Sequence, residues 1–116
     1  MEPVVKKIIE EQGEISDEID YALANFVANN IGFGYTPCQP ALVELNNGKQ
    51  VIRMGLDHTF VGAKNQLMGY GIVGYLYIDP ETMDVLYCTP SEELEKGVET
   101  ILNSGVAPQP RPRGKY

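Results

Sequence analysis

The chain has 116 residues, of which 43% are hydrophobic and 22% are charged, as expected for one globular domain and unlike a disordered segment. Its formal net charge of -7 argues against general nucleic-acid binding, because phosphate contacts need a cationic surface. No apolar run approaches the roughly 20 residues that a membrane-spanning helix needs, and the start of the sequence lacks the features of a signal peptide. The sequence therefore predicts a small, acidic, cytoplasmic protein with no membrane segment and no nucleic-acid partner.

The first part of the chain predicts a helix pair. In residues 3–12, apolar side chains recur at spacings of three and four, which favours a short helix. Ser16 can cap a second helix, and the acidic residues that follow it suit the positive end of the helix dipole. The second helix has one apolar face, formed by Ile19, Leu23, Phe26 and Val27. Alternatively, the pair forms one N-terminal helix that bends at Gly13.

The middle of the chain predicts two consecutive hairpins. Residues 32–40 are rich in glycine and proline and are expected to form a connection. Asn47 and Gly48 then predict a two-residue type I′ turn between the first two strands. In residues 55–69, glycines and polar residues interrupt the strand period, so we expect a strand end followed by a loop.

The second hairpin is marked by the turn sequence of residues 79–82, Asp-Pro-Glu-Thr, which pairs Asp79 with Asp84. An antiparallel hairpin with one solvated face alternates apolar and polar residues, whereas both faces are apolar here. We therefore expect both faces to be covered. In the predicted register, one face contains Tyr75, Tyr77, Leu86 and Cys88. Either the helices of the chain divide between the two faces and cover this one too, or a partner covers it.

The end of the chain predicts a helix and a tail. Residues 89–92, Thr-Pro-Ser-Glu, match a capping box at the start of the helix, and Gly105 is suited to end it. Residues 106–116 contain alternating prolines and are expected to be flexible and extended. We therefore expect a single domain in residues 1–105 and a basic tail in residues 106–116. The tail residues that could dock onto an acidic surface are Arg111, Arg113 and Lys115.

The predicted order is α-α-β-β-β-β-α, in which helices at the ends flank a four-stranded antiparallel meander. This order predicts an α+β domain with the helices packed on the sheet. Together with the turn at residues 79–82, it resembles the cystatin-like and peptidase-propeptide-like small domains. The resemblance is one of element order, and it implies a fold without implying any site residue.

Two patterns bear on chemistry. Gly69, Gly71 and Gly74 match a GxGxxG motif, but a dinucleotide site needs these glycines to open a helix, and here they run into a strand. We therefore expect them to allow close packing or a bulge, with no cofactor bound. Cys38, His58 and Asp57 could form a thiol-dependent active site, which requires a hydrogen-bonded thiol and imidazole with an orienting third group. No zinc-type ligand spacing is present, so no metal is expected.

The main functional hypothesis is a non-catalytic binding or assembly module that acts through protein–protein contact. Its surface would be the hairpin face with Tyr75 and Tyr77, or the tail, and its partner a second copy or another protein. One alternative is a small-molecule pocket between helix and sheet, floored by the glycines of residues 69–74. The other alternative is the small thiol-dependent enzyme built on Cys38, His58 and Asp57.

Overall fold

The computed structural model describes residues 2–11, 16–32 and 34–111. In chain order, these residues form β1 (Val5–Glu11), α1 (Asp17–Asn30), β2 (Tyr35–Leu45), β3 (Gln50–Val61), a 3₁₀ turn (Ala63–Asn65), β4 (Leu67–Ile78), β5 (Val85–Cys88), α2 (Ser91–Asn103) and β6 (Gln109–Pro110). The strands make one antiparallel sheet, curled like half a barrel, in the order β1-β2-β3-β4-β5, and β6 also pairs with β4. The predicted α+β class with an antiparallel sheet is confirmed, whereas the predicted four strands and the helix-first order are wrong.

The N-terminal segment is a strand, so the predicted first helix and the bent-helix alternative are both wrong. In β1, Val5 lies opposite Leu45 and Glu11 lies opposite Ala41 of β2. Valine and isoleucine are stiff at χ1 and favour extended backbone, and a ten-residue helix in isolation is marginal. Pairing with β2 gives the segment backbone hydrogen bonds that its local sequence does not predict.

The second predicted helix is confirmed as α1. The Ser16 hydroxyl accepts a hydrogen bond from the Ile19 backbone N–H at 3.2 Å, which is the predicted N-cap contact. Ile19, Leu23 and Val27 are buried against the sheet. The apolar face that was read from the sequence is therefore the face that anchors this helix.

β2 begins at Tyr35, inside the predicted connection, and contains Pro37 and Pro40. Prolines occur in strands chiefly at edges and bulges, where no ladder hydrogen bond is needed. A register shift between Cys38 and Ala41 supplies the bulge, and Gln39 adopts a φ of 50° there. The irregular backbone thus accommodates residues that otherwise argue against a strand.

The turn between β2 and β3 is one residue longer than predicted. The Leu45 N–H donates to the Lys49 carbonyl at 2.9 Å, and Gly48 occupies the left-handed position with a φ of 85°. Val43 therefore lies opposite Val51, not opposite Ile52 as predicted. Because successive side chains in a strand alternate between faces, this single residue reassigns β3 side chains between the two faces of the sheet.

The loop predicted for residues 55–69 is wrong, because β3 continues to Val61 and β4 starts at Leu67. A Cβ atom on Gly55 would lie 2.7 Å from Cδ1 of Ile72, so the glycine leaves room for a neighbouring side chain. A glycine in a strand can thus mark close packing instead of the end of the strand.

The β4–β5 hairpin has the predicted turn and a different register. The Asp79 N–H donates to the Asp84 carbonyl at 2.9 Å, as expected, and Ile78 lies opposite Val85. A register shift then pairs Tyr77 with Tyr87 and Leu76 with Cys88. Cys88 therefore packs on the same core cluster as the helices and does not share a face with Tyr77 as predicted, while Leu86, the extra residue at the shift, is 42% exposed.

The predicted capping box at residues 89–92 is wrong, because the helix starts at Ser91 without a side-chain cap. The Thr89 hydroxyl instead accepts from the Tyr75 N–H at 2.8 Å and donates to the Tyr75 carbonyl at 3.2 Å. These bonds attach the start of α2 to β4, and Leu94 is buried one turn later.

Among the described residues, no helix is long and apolar enough to cross a membrane.

Candidate functional site

The sheet has two apolar faces, and only one of them carries the helices. The helix-side core consists of Ile19, Leu23, Val27, Ile52, Met54, Leu56, Leu76, Ile78 and Leu94. The cluster of the second face consists of Ala41, Val43, Leu45, Val51 and Tyr77, with Val5, Tyr75 and Tyr87 packed against it. Among the described residues, α1 and α2 contribute nothing to this second cluster. The second face is therefore where a partner could approach the sheet.

Tyr77, which was predicted to lie on an interface, is covered by residues of its own chain. It is 1% exposed, and its hydroxyl donates to Oε2 of Glu2 at 3.4 Å. Its ring meets Tyr87 edge to face, with centroids 5.9 Å apart. Burial, followed by the charge of Glu2, raises the pKa of Tyr77, which keeps the hydroxyl protonated as a donor. Tyr77 is thus a core residue of the second face.

Arg53, Tyr75 and Tyr87 surround Tyr77 and are only half-buried; we call these three residues the Tyr75 patch. The guanidinium carbon of Arg53 lies 4.7 Å from the centroid of the Tyr75 ring, within the range of a cation–π contact. Glu44 lies opposite Gln50 whereas Arg53 lies opposite Ala41, and the Glu44 carboxylate is 3.6 Å from the Lys6 ammonium. Arg53 therefore forms no ion pair within the part of the chain that the structure describes.

A buried ion pair lies further along β3. Asp57 is 4% exposed, and its Oδ2 atom accepts from Nε of Arg111 at 2.8 Å while Oδ1 accepts from the Gly71 N–H at 3.0 Å. The hydrogen bond to Asp57 raises the pKa of Arg111. The Arg111 N–H also donates to the Leu67 carbonyl at 2.8 Å. This carboxylate thus joins β3, β4 and the residue after β6.

The tail consequently begins as part of the sheet. Pro110 lies opposite Met68 and Gln109 lies opposite Gly69, so the residues up to Arg111 pair with β4. Of the three basic residues considered for docking, Arg111 binds within the chain, and Arg113 and Lys115 lie outside the described residues.

Gly69 is the position at which the ion pair meets the sheet. A Cβ atom at this residue would lie 2.5 Å from both Nε of Arg111 and Oδ2 of Asp57. We therefore expect Gly69→Ala to destabilise the protein by about 2 kcal/mol, the scale of overpacking in a filled site. Urea unfolding followed by circular dichroism measures this change.

The matched control is Gly34→Ala, since its nearest neighbour, an atom of the His58 ring, would lie 3.9 Å from the new methyl group. That variant should unfold within about 0.5 kcal/mol of the wild type. Equal midpoints for the Gly69 and Gly34 variants would mean that the ion pair does not pack against Gly69.

The three residues of the predicted thiol site, Cys38, His58 and Asp57, each contact different neighbours. Burial, and then the charge of Asp57, raises the pKa of Cys38 to about 11, so its thiol stays protonated at neutral pH. Nδ1 of His58 lies 3.0 Å from the Gly34 carbonyl oxygen, and its ring stacks on Tyr70. Asp57 and His58 are adjacent on β3, but Asp57 contacts Arg111 and Gly71 while His58 contacts Gly34 and Tyr70.

The second cysteine is also engaged elsewhere, since the Cys88 thiol donates to the Thr89 carbonyl at 3.5 Å. Within residues 2–11, 16–32 and 34–111, no hydrogen bond joins His58 to either cysteine, and no cluster of three metal-ligand side chains occurs. The structure therefore does not bring Cys38, His58 and Asp57 together in the arrangement that a thiol nucleophile needs.

The three glycines of the GxGxxG match lie within β4, and two of them, Gly71 and Gly74, bring α2 close to the sheet. A Cβ atom on Gly74 would meet Cδ2 of Leu94 at 2.5 Å, and one on Gly71 would meet Cδ1 of Ile101 at 2.8 Å. Side chains of α2 thus occupy the space above these glycines, which is where the small-molecule alternative places its pocket.

Sequence reasoning found Tyr75 and Tyr77, and missed Arg53 and Tyr87. Without a bulge, the turn that pairs Asp79 with Asp84 would place Tyr87 opposite Leu76, and the one-residue bulge after Val85 that pairs it with Tyr77 has no sequence signature. Comparison of the chain with protein-family models, with curated proteins and with solved structures found no match. The resemblance to cystatin-like and peptidase-propeptide-like domains accordingly stays a prediction. A functional conclusion therefore rests on the chemistry of the second face.

Proposed function

We propose that this protein is a small non-catalytic binding module that contacts a partner protein through the Tyr75 patch. The observation that carries the proposal is the stacking of Arg53 on Tyr75, 4.7 Å apart, on a sheet face to which α1 and α2 contribute no core residue. Tyrosine and arginine are enriched among the residues that dominate binding energy in protein interfaces.

The chemistry of the patch also favours one kind of partner. Among the described residues, no carboxylate forms an ion pair with Arg53. Its guanidinium also hydrogen-bonds the Tyr77 hydroxyl, and its other N–H groups remain available to an acceptor. A planar guanidinium held on an aromatic ring is preorganised for a bidentate contact with a carboxylate. We therefore propose that the partner presents an acidic side chain or a chain-terminal carboxylate between Tyr75 and Tyr87.

The test compares the wild type with the double variant Arg53→Ala, Tyr75→Ala. The bait is the full chain, and captured proteins are quantified by mass spectrometry from lysates of the cells that express it. Each truncation should remove about 1–2 kcal/mol of binding energy, so the double variant should bind the partner at least about 30-fold more weakly.

The matched control is Lys96→Ala, Tyr21→Ala, which removes one cation and one tyrosine at exposed positions on the two helices. This control should capture the same protein as the wild type. The proposal fails if the wild type enriches nothing over the double variant, or if the control loses the captured protein as completely. Circular dichroism confirms beforehand that all three proteins are folded.

A further inference from the structure

We propose that β1 pairs antiparallel with β1 of a second copy of the chain, which joins two sheets edge to edge around a two-fold axis. β1 is an edge strand of the sheet, and the side of β1 that faces away from β2 has no strand partner among the described residues. Such an edge presents backbone N–H and C=O groups that can pair with another strand. The inference goes beyond the proposed function and does not depend on it, because it uses different residues.

The centre of this edge is apolar and exposed. Every residue from Lys6 to Glu11 is exposed, and Ile8 and Ile9 are each 42% exposed in the middle of the strand. Val4, just before the strand, is 59% exposed. Free edges in monomeric proteins are commonly protected by charged residues and bulges, and β1 has both, but it also carries adjacent exposed isoleucines at its centre.

The charge order of β1 complements itself when the strand is reversed. Two lysines, two isoleucines and two glutamates follow one another in residues 6–11. In an antiparallel pair with Ile8 opposite Ile8 of the second copy, Lys6 lies opposite Glu10 of the second copy, twice by symmetry. Opposite charges in directly opposed cross-strand positions stabilise a pair, and like charges destabilise it. A second copy therefore supplies both the apolar contact and the counter-charges.

The bulges of β1 are compatible with this register. β1 carries two extra residues relative to β2, Lys6 and Ile9, at the register shifts beside the Lys7–Glu44 and Glu10–Leu42 pairs. The contact of Lys6 with Glu44, at 3.6 Å, confirms that they share a face. Because Glu44 and Leu42 alternate onto the same face of β2, Lys6 and Glu10 also share that face.

A two-fold axis perpendicular to the sheet keeps each face on its own side, so only residues of the same face can oppose each other. Centring the pair on Ile8 satisfies this condition for Lys6 and Glu10. Centring it between Ile8 and Ile9 would oppose two residues that point to opposite faces. The side-chain faces and the pairing of opposite charges therefore favour the same register, the one centred on Ile8.

The test is sedimentation velocity of the full chain over a wide concentration range, with two charge variants. The first variant is Lys6→Glu, Lys7→Glu, and the second is Glu10→Lys, Glu11→Lys. We expect a wild-type dimer, a dimer Kd raised about 30-fold or more in each variant alone, and recovery of a heterodimer when the two are mixed. The control Glu92→Lys, Glu93→Lys changes the charge of α2 and should leave the Kd unchanged.

A wild type that stays monomeric at every concentration would overturn the proposal, and so would variants that dimerise as tightly as the wild type. Hydrogen exchange of the wild type provides a readout that does not depend on how the variants fold. Protection of the β1 backbone amides should rise with protein concentration. Amides of β1 that exchange at one rate at all concentrations would equally rule out edge pairing.

Discussion

Replacing Tyr77 with glutamate is expected to destabilise the fold by about 4 kcal/mol or more, because it removes a buried aromatic ring and places a carboxylate in an apolar cluster. The side chain is 1% exposed and packs among Val43, Val51 and Tyr87. Domains of this size have a free energy of unfolding of only about 5–15 kcal/mol, so the substitution should remove a large part of it. Urea unfolding followed by far-UV circular dichroism measures the loss.

Tyr77→Phe is the matched control, since it keeps the ring and removes only the hydroxyl. The bond from that hydroxyl to Glu2 is long, at 3.4 Å, so we expect a loss of about 1 kcal/mol or less. If Tyr77→Glu unfolds at the same urea concentration as the wild type, then Tyr77 must be reachable by solvent. The expected outcome also makes Tyr75, and not Tyr77, the residue for probing the surface.

Replacing Arg111 with alanine is expected to cost about 2–3 kcal/mol, somewhat below the range for a fully buried ion pair, because one third of the Arg111 side chain is exposed. The variant leaves the carboxylate of Asp57, which is 4% exposed, with only the Gly71 N–H among its observed partners. Asp57→Ala should cost a similar amount through the loss of the same contacts. The measurement is urea unfolding at neutral pH.

The double variant Asp57→Ala, Arg111→Ala separates the ion pair from general disruption. If the two residues act through their mutual contact, the double variant should be less destabilised than the sum of the single variants by about 1–2 kcal/mol. Lys96→Ala, at an exposed position on α2, controls for the loss of a cation and should lie within about 0.5 kcal/mol of the wild type. Strict additivity would mean that the pair contributes nothing specific.

The ion pair also has a structural consequence that hydrogen exchange detects. The Arg111 amide donates to the Leu67 carbonyl, and this bond depends on the segment that the Asp57 contact holds against β4. Faster exchange of the Arg111 amide in Asp57→Ala would accompany release of β6 from the sheet. The interaction that stabilises this edge of the sheet therefore joins residues 54 positions apart in sequence.

Several local features were predictable because the residues that make them are neighbours in sequence. Ser16 caps α1 through a residue three positions away, and Asp79 pairs with Asp84 across a short turn. The apolar face of α1 follows directly from the helical period. Each of these depends on side-chain and backbone contacts within about one helical turn or one tight turn.

The wrong predictions concern segments whose conformation depends on residues far away in sequence. β1 was predicted as a helix because Val4, Val5, Ile8 and Ile9 fit a helical spacing, and only pairing with residues 30 to 40 positions further along the chain makes the segment extended. Gly55 was taken to end a strand, although it makes room for Ile72 of the next strand. In both cases a distant partner outweighed the local preference.

The sequence by itself determined the α+β class, the second helix, the positions of the two hairpin turns and the presence of two apolar faces. Only the tertiary structure decided which side chains occupy each face, because a one-residue change of register moves every later side chain to the opposite side. In the structure, Tyr87 and Arg53 therefore lie on the same face as Tyr75, and Cys88 packs on the helix-side core. Arg111 of the tail contacts Asp57. The physical reason is that register and long-range ion pairs depend on contacts between segments, which no local pattern encodes.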